Sequence, residues 1–214
     1  MDTDPPQAQV PPGLSLTGLR SAAADCRACE LGEPATQTVF SAGSAAARLA
    51  FVGEQPGDQE DRVGQPFVGP AGKMLDRALL DVGLDRDHAY VTNAVKHFRF
   101  ERTSSGRRLH KTPGTEHVRA CRPWLLAELG IVDPQVVVLL GATATASLLG
   151  PSVRVTRDRG RLISRQTWPD EPAHVQPAWW LVTVHPSSIL RADDREAAYQ
   201  AFVADLRVAA LALR

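Results

Sequence analysis

Apolar positions along this chain change period several times, and each change marks an element. Arg48–Gly53 is a short apolar run closed by glycine, the pattern of a buried strand. From Pro70 the apolar residues recur at helical spacing. Ala71, Met74, Leu75, Ala78, Leu79 and Val82 share one face, with Pro70 suited to the first turn and Gly83 to the C-terminal cap. Ala89–Val95 reads as a second strand and Thr115–Leu129 as a second helix. Pro134 punctuates before Val136–Leu140, a third strand that Gly141 ends, and Ala142–Leu149 follows as a short helix. Trp179–Val184 is the fourth strand, and Asp193–Leu213 a final helix with Ala197, Phe202 and Leu206 on its apolar side. Strands alternating with helices predict a three-layer α/β/α domain around a central, mainly parallel four-stranded sheet. No internal repeat or linker divides it, and Ser104–Gly106 and Trp168–Pro177 have the composition of flexible loops.

Composition narrows this picture. At 214 residues the chain can bury one sizeable core. Met1–Gly13 is acidic and proline-rich, which predicts a disordered tail rather than a signal peptide and leaves 14–214 as the domain. No run approaches the roughly 18 apolar residues of a membrane span, so a cytoplasmic protein is expected, without membrane partners. No spare apolar helix face suggests a dimer, and a monomer is the expectation. Formal net charge is zero, so no global field announces a polyanionic partner. Locally, Lys96, Arg99, Arg102, Arg107, Arg108, Lys111, Arg119 and Arg122 face only Glu101 and Glu116 in the same stretch. That stretch reads as a phosphate-facing surface or as a solvated loop. Three cysteines in a reducing compartment point to metal or cluster ligation rather than disulfides. The pair in Cys26-Arg-Ala-Cys29 also permits a redox reading, but it lacks a thioredoxin-like βαβ context.

Four segments carry candidate chemistry: Gly-Glu-Gln-Pro-Gly at Gly53–Gly57, Pro66–Gly72 around Phe67, Asn93 after a strand, and His185-Pro-Ser-Ser-Ile-Leu-Arg191. Three of them follow strands, and ligand sites of open α/β sheets lie off strand carboxyl ends, so these loops should converge. Together they resemble the uracil-DNA glycosylase superfamily, nearest to its iron–sulfur branch, from Cys26 to Arg207. A fifth segment, Arg107-Arg108-Leu109-His110-Lys111, lies in an inserted basic loop at about 99–113, with Lys96-His97-Phe98 before it and Lys111-Thr112-Pro113 closing it. It is similar to the corresponding loop of the UdgX-type glycosylases.

The resemblance implies a function: excision of uracil from DNA, single-stranded DNA included, by N-glycosidic cleavage. Phe67 then stacks on a flipped base. Asn93 reads the O4 and N3–H edge of uracil, and Gln55 and Asp58 shape the pocket. His185 stabilises charge on the departing base, while Glu54 orients or activates a nucleophile or stabilises an oxocarbenium-like sugar. In the UdgX-type branch the histidine matching His110 bonds to the abasic deoxyribose. Arg107, Arg108 and Lys111 would grip phosphates beside it, Ser187 and Ser188 would bond flanking phosphates, and Arg191 would fill the gap left by the flipped nucleotide. A conventional enzyme that turns over with water, or a module that binds uracil-containing DNA without cleaving it, are the alternatives. Cys26, Cys29 and Cys121 match three ligands of a [4Fe–4S] cluster. The family's fourth cysteine falls at His97, so His97 is the expected fourth ligand, with water there or zinc in place of the cluster as the alternatives.

Overall fold

The computed structural model describes residues 6–164, 175 and 177–214. Among these the chain runs α1 (Leu16–Ala23), β1 (Ser41–Ala42), β2 (Leu49–Gly53), α2 (Asp58–Val63), α3 (Pro70–Asp81), β3 (Ala89–Asn93), β4 (Phe100–Arg102), β5 (Arg108–His110), α4 (Thr115–Val132), β6 (Val136–Leu140), α5 (Ala142–Leu149), α6 (Val155–Asp158), β7 (Leu162–Ser164), β8 (Trp179–Thr183), α7 (Pro186–Ile189) and α8 (Arg195–Ala212). The four apolar runs become β2, β3, β6 and β8, which pair in parallel. Their residues are almost all buried, as expected for strands covered on both faces.

The sheet has six strands, not the expected four, in the order β1-β3-β2-β6-β8-β7. Both additions are antiparallel edge strands, β1 on β3 and β7 on β8. Edges of two and three residues are too short to carry a periodic signal, and short edges also limit unwanted pairing. The three-layer α/β/α class holds. Phe51, Val91, Val138 and Leu181 pack with α3 and α8 on one face. Ala50, Val52, Tyr90, Val137, Leu139 and Trp180 pack with α4 and α5 on the other.

A third cluster joins the N-terminal segment to α4 through Leu19, Ala23, Leu31, Phe40, Val95, Cys121 and Trp124. Part of the expected tail docks here. Ala8 is buried, and its N–H donates to the Ala120 carbonyl at 2.9 Å. A proline-rich acidic composition does not reveal that two small apolar residues, Ala8 and Val10, meet a ready apolar surface. Residues 1–5 and most of the expected Trp168–Pro177 loop lie outside the described residues.

The inserted basic segment is a β-hairpin. β4 and β5 pair antiparallel with Phe100 opposite His110 and Arg102 opposite Arg108, and Gly106 takes the left-handed backbone of the turn at φ 80°. Alternation puts Phe100, Arg108 and His110 on one face, where Phe98 stacks on Phe100 at 5.2 Å and the Arg108 guanidinium lies 5.0 Å from the Phe100 centroid.

Behind the carboxyl end of β3 sits a buried ion pair between Lys96 and Glu128, both at most 1% exposed. Lys96 also donates to Thr92 Oγ1 at 2.6 Å and to the Asn93 carbonyl at 2.9 Å. Thr92 and Tyr90 hydroxyls donate to the two Glu128 oxygens at 2.7 and 2.8 Å, which completes the carboxylate's partners. The network ties β3 to α4. Removing one charge leaves the other buried and uncompensated, so Lys96→Met is expected to lose about 3–5 kcal/mol of stability in chemical denaturation. Lys96→Met with Glu128→Leu should regain most of it.

Candidate active site

The carboxyl ends of the four parallel strands deliver Glu54, Asn93, Gly141 and His185 to one end of the sheet. Gly53 makes the close approach possible: a Cβ there would stand 2.6 Å from Phe67 Cζ and 2.3 Å from Asn93 Oδ1. Phe67 itself adopts φ 56°, a conformation that costs a non-glycine residue about 1–3 kcal/mol and persists only when its surroundings enforce it. Two contacts enforce it. Gly72 leaves room for the Phe67 carbonyl, which a Cβ would meet at 1.8 Å. The Glu60 carboxylate accepts the N–H groups of Gly57 (3.1 Å) and Gly69 (2.7 Å), pinning the loop on both sides. Phe67 is thereby 6% exposed, its ring 5.9 Å from that of His185. Asn93 is 1% exposed, and its Oδ1 has no hydrogen-bond partner among the described residues. A buried acceptor left without a donor is costly, and this one stands where Phe67 and Gly53 meet.

His185 caps α7. Its Nδ1 accepts the Ser187 N–H at 3.2 Å, with the Ser187 hydroxyl at 2.8 Å, so the ring proton resides on Nε2. Burial first, then the charges of His110 and Arg191, lower its pKa to about 4. The ring is therefore a neutral N–H donor at physiological pH.

His110 stands on β5 with its side chain half exposed, and burial followed by Arg191 lowers its pKa despite the opposing carboxylate of Glu54. Gln55 meets its ring. The Arg99 N–H donates to Gln55 Oε1 at 2.9 Å, so Nε2 is the amide donor. That nitrogen reaches the Arg99 carbonyl (3.2 Å), the Lys111 carbonyl (3.0 Å) and His110 Nε2 (3.0 Å). His110 Nε2 can accept from that amide, and Glu54 Oε1 lies 3.6 Å from the same ring nitrogen. The other Glu54 oxygen accepts the Thr143 hydroxyl at 2.5 Å.

Several expected contacts point inward instead. Gln55, read as a pocket residue, clamps the base of the hairpin. The Arg108 side chain is 8% exposed between Asp58 and Asp61, so Arg108 and Asp58 face each other rather than phosphate and base. Burial works against the guanidinium charge, but hydrogen bonds to Asp61 and Asp58 outweigh it and raise its pKa. Ser187 is engaged with His185, and the Ser188 hydroxyl donates to the His185 carbonyl at 2.8 Å. Of the basic stretch, Lys96 is buried, Arg99 donates to the Thr112 carbonyl, Lys111 pairs with Glu101 and Arg122 donates to the Ser147 carbonyl. Arg107 at the hairpin turn and Arg191 after α7 stand exposed. Sequence reasoning missed Glu60, Asp61 and Thr143 as site residues. Thr143 lies just past a strand end, the same position that flagged the others.

Cys26, Cys29 and Cys121 gather where the N-terminal segment meets α4. Cys121 Sγ accepts the Lys96 N–H and Cys26 Sγ the Trp124 indole N–H, both at 3.3 Å, the bonds that thiolate ligands of a cluster receive. Burial first pushes the Cys121 thiol up to about 12, and neighbouring Cys29 and Cys26 add to it. So placed, the Cys121 thiol keeps its proton unless a cation lies beside it. The Thr38 hydroxyl bonds His97 Nε2 at 2.8 Å and lies within reach of the Ala23 and Ala24 carbonyls, which leaves Nδ1 without that partner. Among the described residues no three His, Cys, Asp or Glu side chains converge on a metal-ion site.

A family model described as the uracil DNA glycosylase superfamily matches residues 40–207. A Type-4 uracil-DNA glycosylase of Thermotoga maritima is 37% identical over 173 residues, 78% of each chain. One of Pyrobaculum aerophilum is 32% identical over 178 residues, 83% of this chain and 86% of that one. A DNA polymerase of Bacillus phage SP01 is 27% identical over 170 residues, which make up 16% of the polymerase.

The depressed pKa of His185 gives stability a pH signature. Between about 4 in the folded chain and 6.5 in the unfolded one, only the unfolded chain takes up the proton. The contribution is complete above pH 6.5 and is lost as pH falls toward 4. His185→Gln is expected to flatten that acid loss when Tm is followed against pH; an unchanged slope would place the proton uptake elsewhere.

Proposed function

The chain belongs to the uracil-DNA glycosylase superfamily, and on that premise we propose that it excises uracil from DNA and then stays bonded to the deoxyribose through His110. The observation that carries the uracil reading is the orphaned Asn93 Oδ1, which meets Phe67 at Gly53. Uracil offers an N3–H to that oxygen and O4 to the amide nitrogen of the same side chain. Cytosine presents an acceptor at N3 and an amino group at C4, so it mismatches both.

A flipped uracil stacks on Phe67 with O2 toward His185. The C1′–N1 bond breaks with its electron pair passing to uracil, and His185 Nε2–H donates to the anion at O2. Glu54 Oε1 stabilises positive charge developing on the sugar. The lone pair of His110 Nε2 forms the new bond to C1′, the Nδ1 proton leaves the resulting imidazolium to solvent, and the uracil anion takes up a proton. Charge and atoms balance without a co-reactant. Three properties support His110 as the nucleophile: a depressed pKa that favours the neutral ring, the nearness of Nε2 to Glu54, and a half-exposed side chain open to the sugar. Gln55 can release the ring cheaply, because its two amide hydrogens keep the carbonyls of Arg99 and Lys111.

Cys26, Cys29, Cys121 and His97 through Nδ1 are the residues that would hold a [4Fe–4S] cluster. Its contribution is to tie the N-terminal segment to α4 and to the stretch leading into the hairpin. Arg107 and Arg191 are the exposed cations proposed to meet phosphates or the vacated stack. Single-stranded DNA bearing uracil is the proposed substrate, met by a monomer in the cytoplasm. No helix among the described residues is long and apolar enough to cross a membrane.

The test is incubation with labelled single-stranded DNA carrying one uracil, followed by a denaturing gel. A retarded band that survives SDS and heat, absent with thymine, is expected. His110→Ala should lose the band while still releasing uracil. An alkali-labile site without adduct would mean turnover by water, and intact DNA would leave only a binding role. Purified protein is expected to be brown with absorbance near 400 nm; a colourless, zinc-loaded, active preparation would defeat the cluster assignment.

A further inference from the structure

The first turn of α5 holds a hydroxyl that none of the motifs includes. β6 pairs in parallel with β2, Leu139 opposite Val52, so the residues just beyond the two strands emerge side by side. Gly141 turns the chain at φ 91° and brings Thr143 beside Glu54. Hydroxyls inside a helix usually bond back to their own backbone. Two of the three in α5 do so: Thr145 Oγ1 donates to the Gly141 carbonyl at 2.8 Å and Ser147 Oγ to the Ala144 carbonyl at 2.7 Å. Thr143 leaves its helix and donates to Glu54 Oε2 instead. The other Glu54 oxygen lies 3.6 Å from His110 Nε2, beyond hydrogen-bonding distance, so His110 does not hold the carboxylate.

We infer that Thr143 is a positioning residue of the reaction centre: it engages one Glu54 oxygen so that the other faces the position beside His110 where C1′ must stand. The inference rests on the crosslinking reading above. Without the hydroxyl the carboxylate turns freely about its side-chain torsions, and its charge is no longer fixed where the sugar becomes positive. Such loss of aim in an otherwise intact site typically lowers rate by up to about 100-fold. Binding of the base, which depends on Phe67 and Asn93, is untouched.

Thr143→Val keeps the shape of the side chain and removes the donor, whereas Thr143→Ser keeps the donor. In single-turnover reactions with excess protein and uracil-containing single-stranded DNA, Thr143→Val should slow uracil release and adduct formation by roughly 10–100-fold. The protein concentration giving half-maximal rate should stay within about twofold, since base binding is separate from charge placement. Thr143→Ser should restore most of the rate. In a Glu54→Gln background, Thr143→Val should add nothing, because the two residues act as one unit. Thr143→Ala repeats the measurement if the valine variant does not fold. A wild-type rate in Val and Ala variants, no rescue by Ser, or a full further loss in the Glu54→Gln background would each overturn the inference alone. A wild-type chain that leaves the DNA intact would overturn the functional reading and this inference together.

Discussion

A guanidinium between two carboxylates holds the reaction centre together. Arg108 enters from β5, while Asp58 and Asp61 rise from α2, so the contact crosses from the hairpin to the loop that follows β2. The aromatic faces of Phe98 and Phe100 cover the remaining surface of the guanidinium. A two-stranded hairpin has little stability by itself. Here it gains a rigid seat, and Gln55 adds amide bonds to both strands' flanks. His110 sits on the same face as Arg108, two residues along β5, so its position over the strand ends follows from the anchoring.

The electrostatics of the centre follow from this closure. Two histidines, one carboxylate and one exposed arginine share a small volume, and burial keeps both rings neutral there. Their tautomers differ because their fixed partners differ. A backbone N–H at the start of α7 occupies Nδ1 of His185 and leaves a donor on Nε2. The Gln55 amide nitrogen stands 3.0 Å from Nε2 of His110, the contact in which that nitrogen accepts. Under the proposed reaction, one ring would stabilise an anion and the other attack a cation, with the Glu54 carboxylate offsetting positive charge that develops on the sugar.

The Lys96–Glu128 pair links this centre to the cysteine-bearing segment. Its ammonium grips the Asn93 carbonyl, and the Lys96 N–H reaches Cys121 Sγ, about two turns along α4 from Glu128. Asn93 and Cys121 therefore both rest on Lys96. Disturbance of α4 would reach Asn93 through fully buried atoms.

The sequence by itself determined the parallel core, because strands buried on both faces must be written as continuous apolar runs: Leu49–Gly53, Ala89–Asn93, Val136–Leu140 and Trp179–Thr183 are visible as such. It also placed Glu54, Phe67, Asn93 and His185 together, since loops at the carboxyl ends of parallel strands have only one place to go. It did not show β1 or β7, whose length is below any period, nor the docking of Ala8, which needs the finished surface of α4. Nor did it show which way charged side chains turn. Arg108 and Arg107 are neighbours of the same type, yet strand alternation and two distant carboxylates bury one and leave the other in solvent. Gln55 and Thr143 gained their roles in the same way, from partners 44 to 89 residues away in the chain that only the assembled sheet brings within a hydrogen bond.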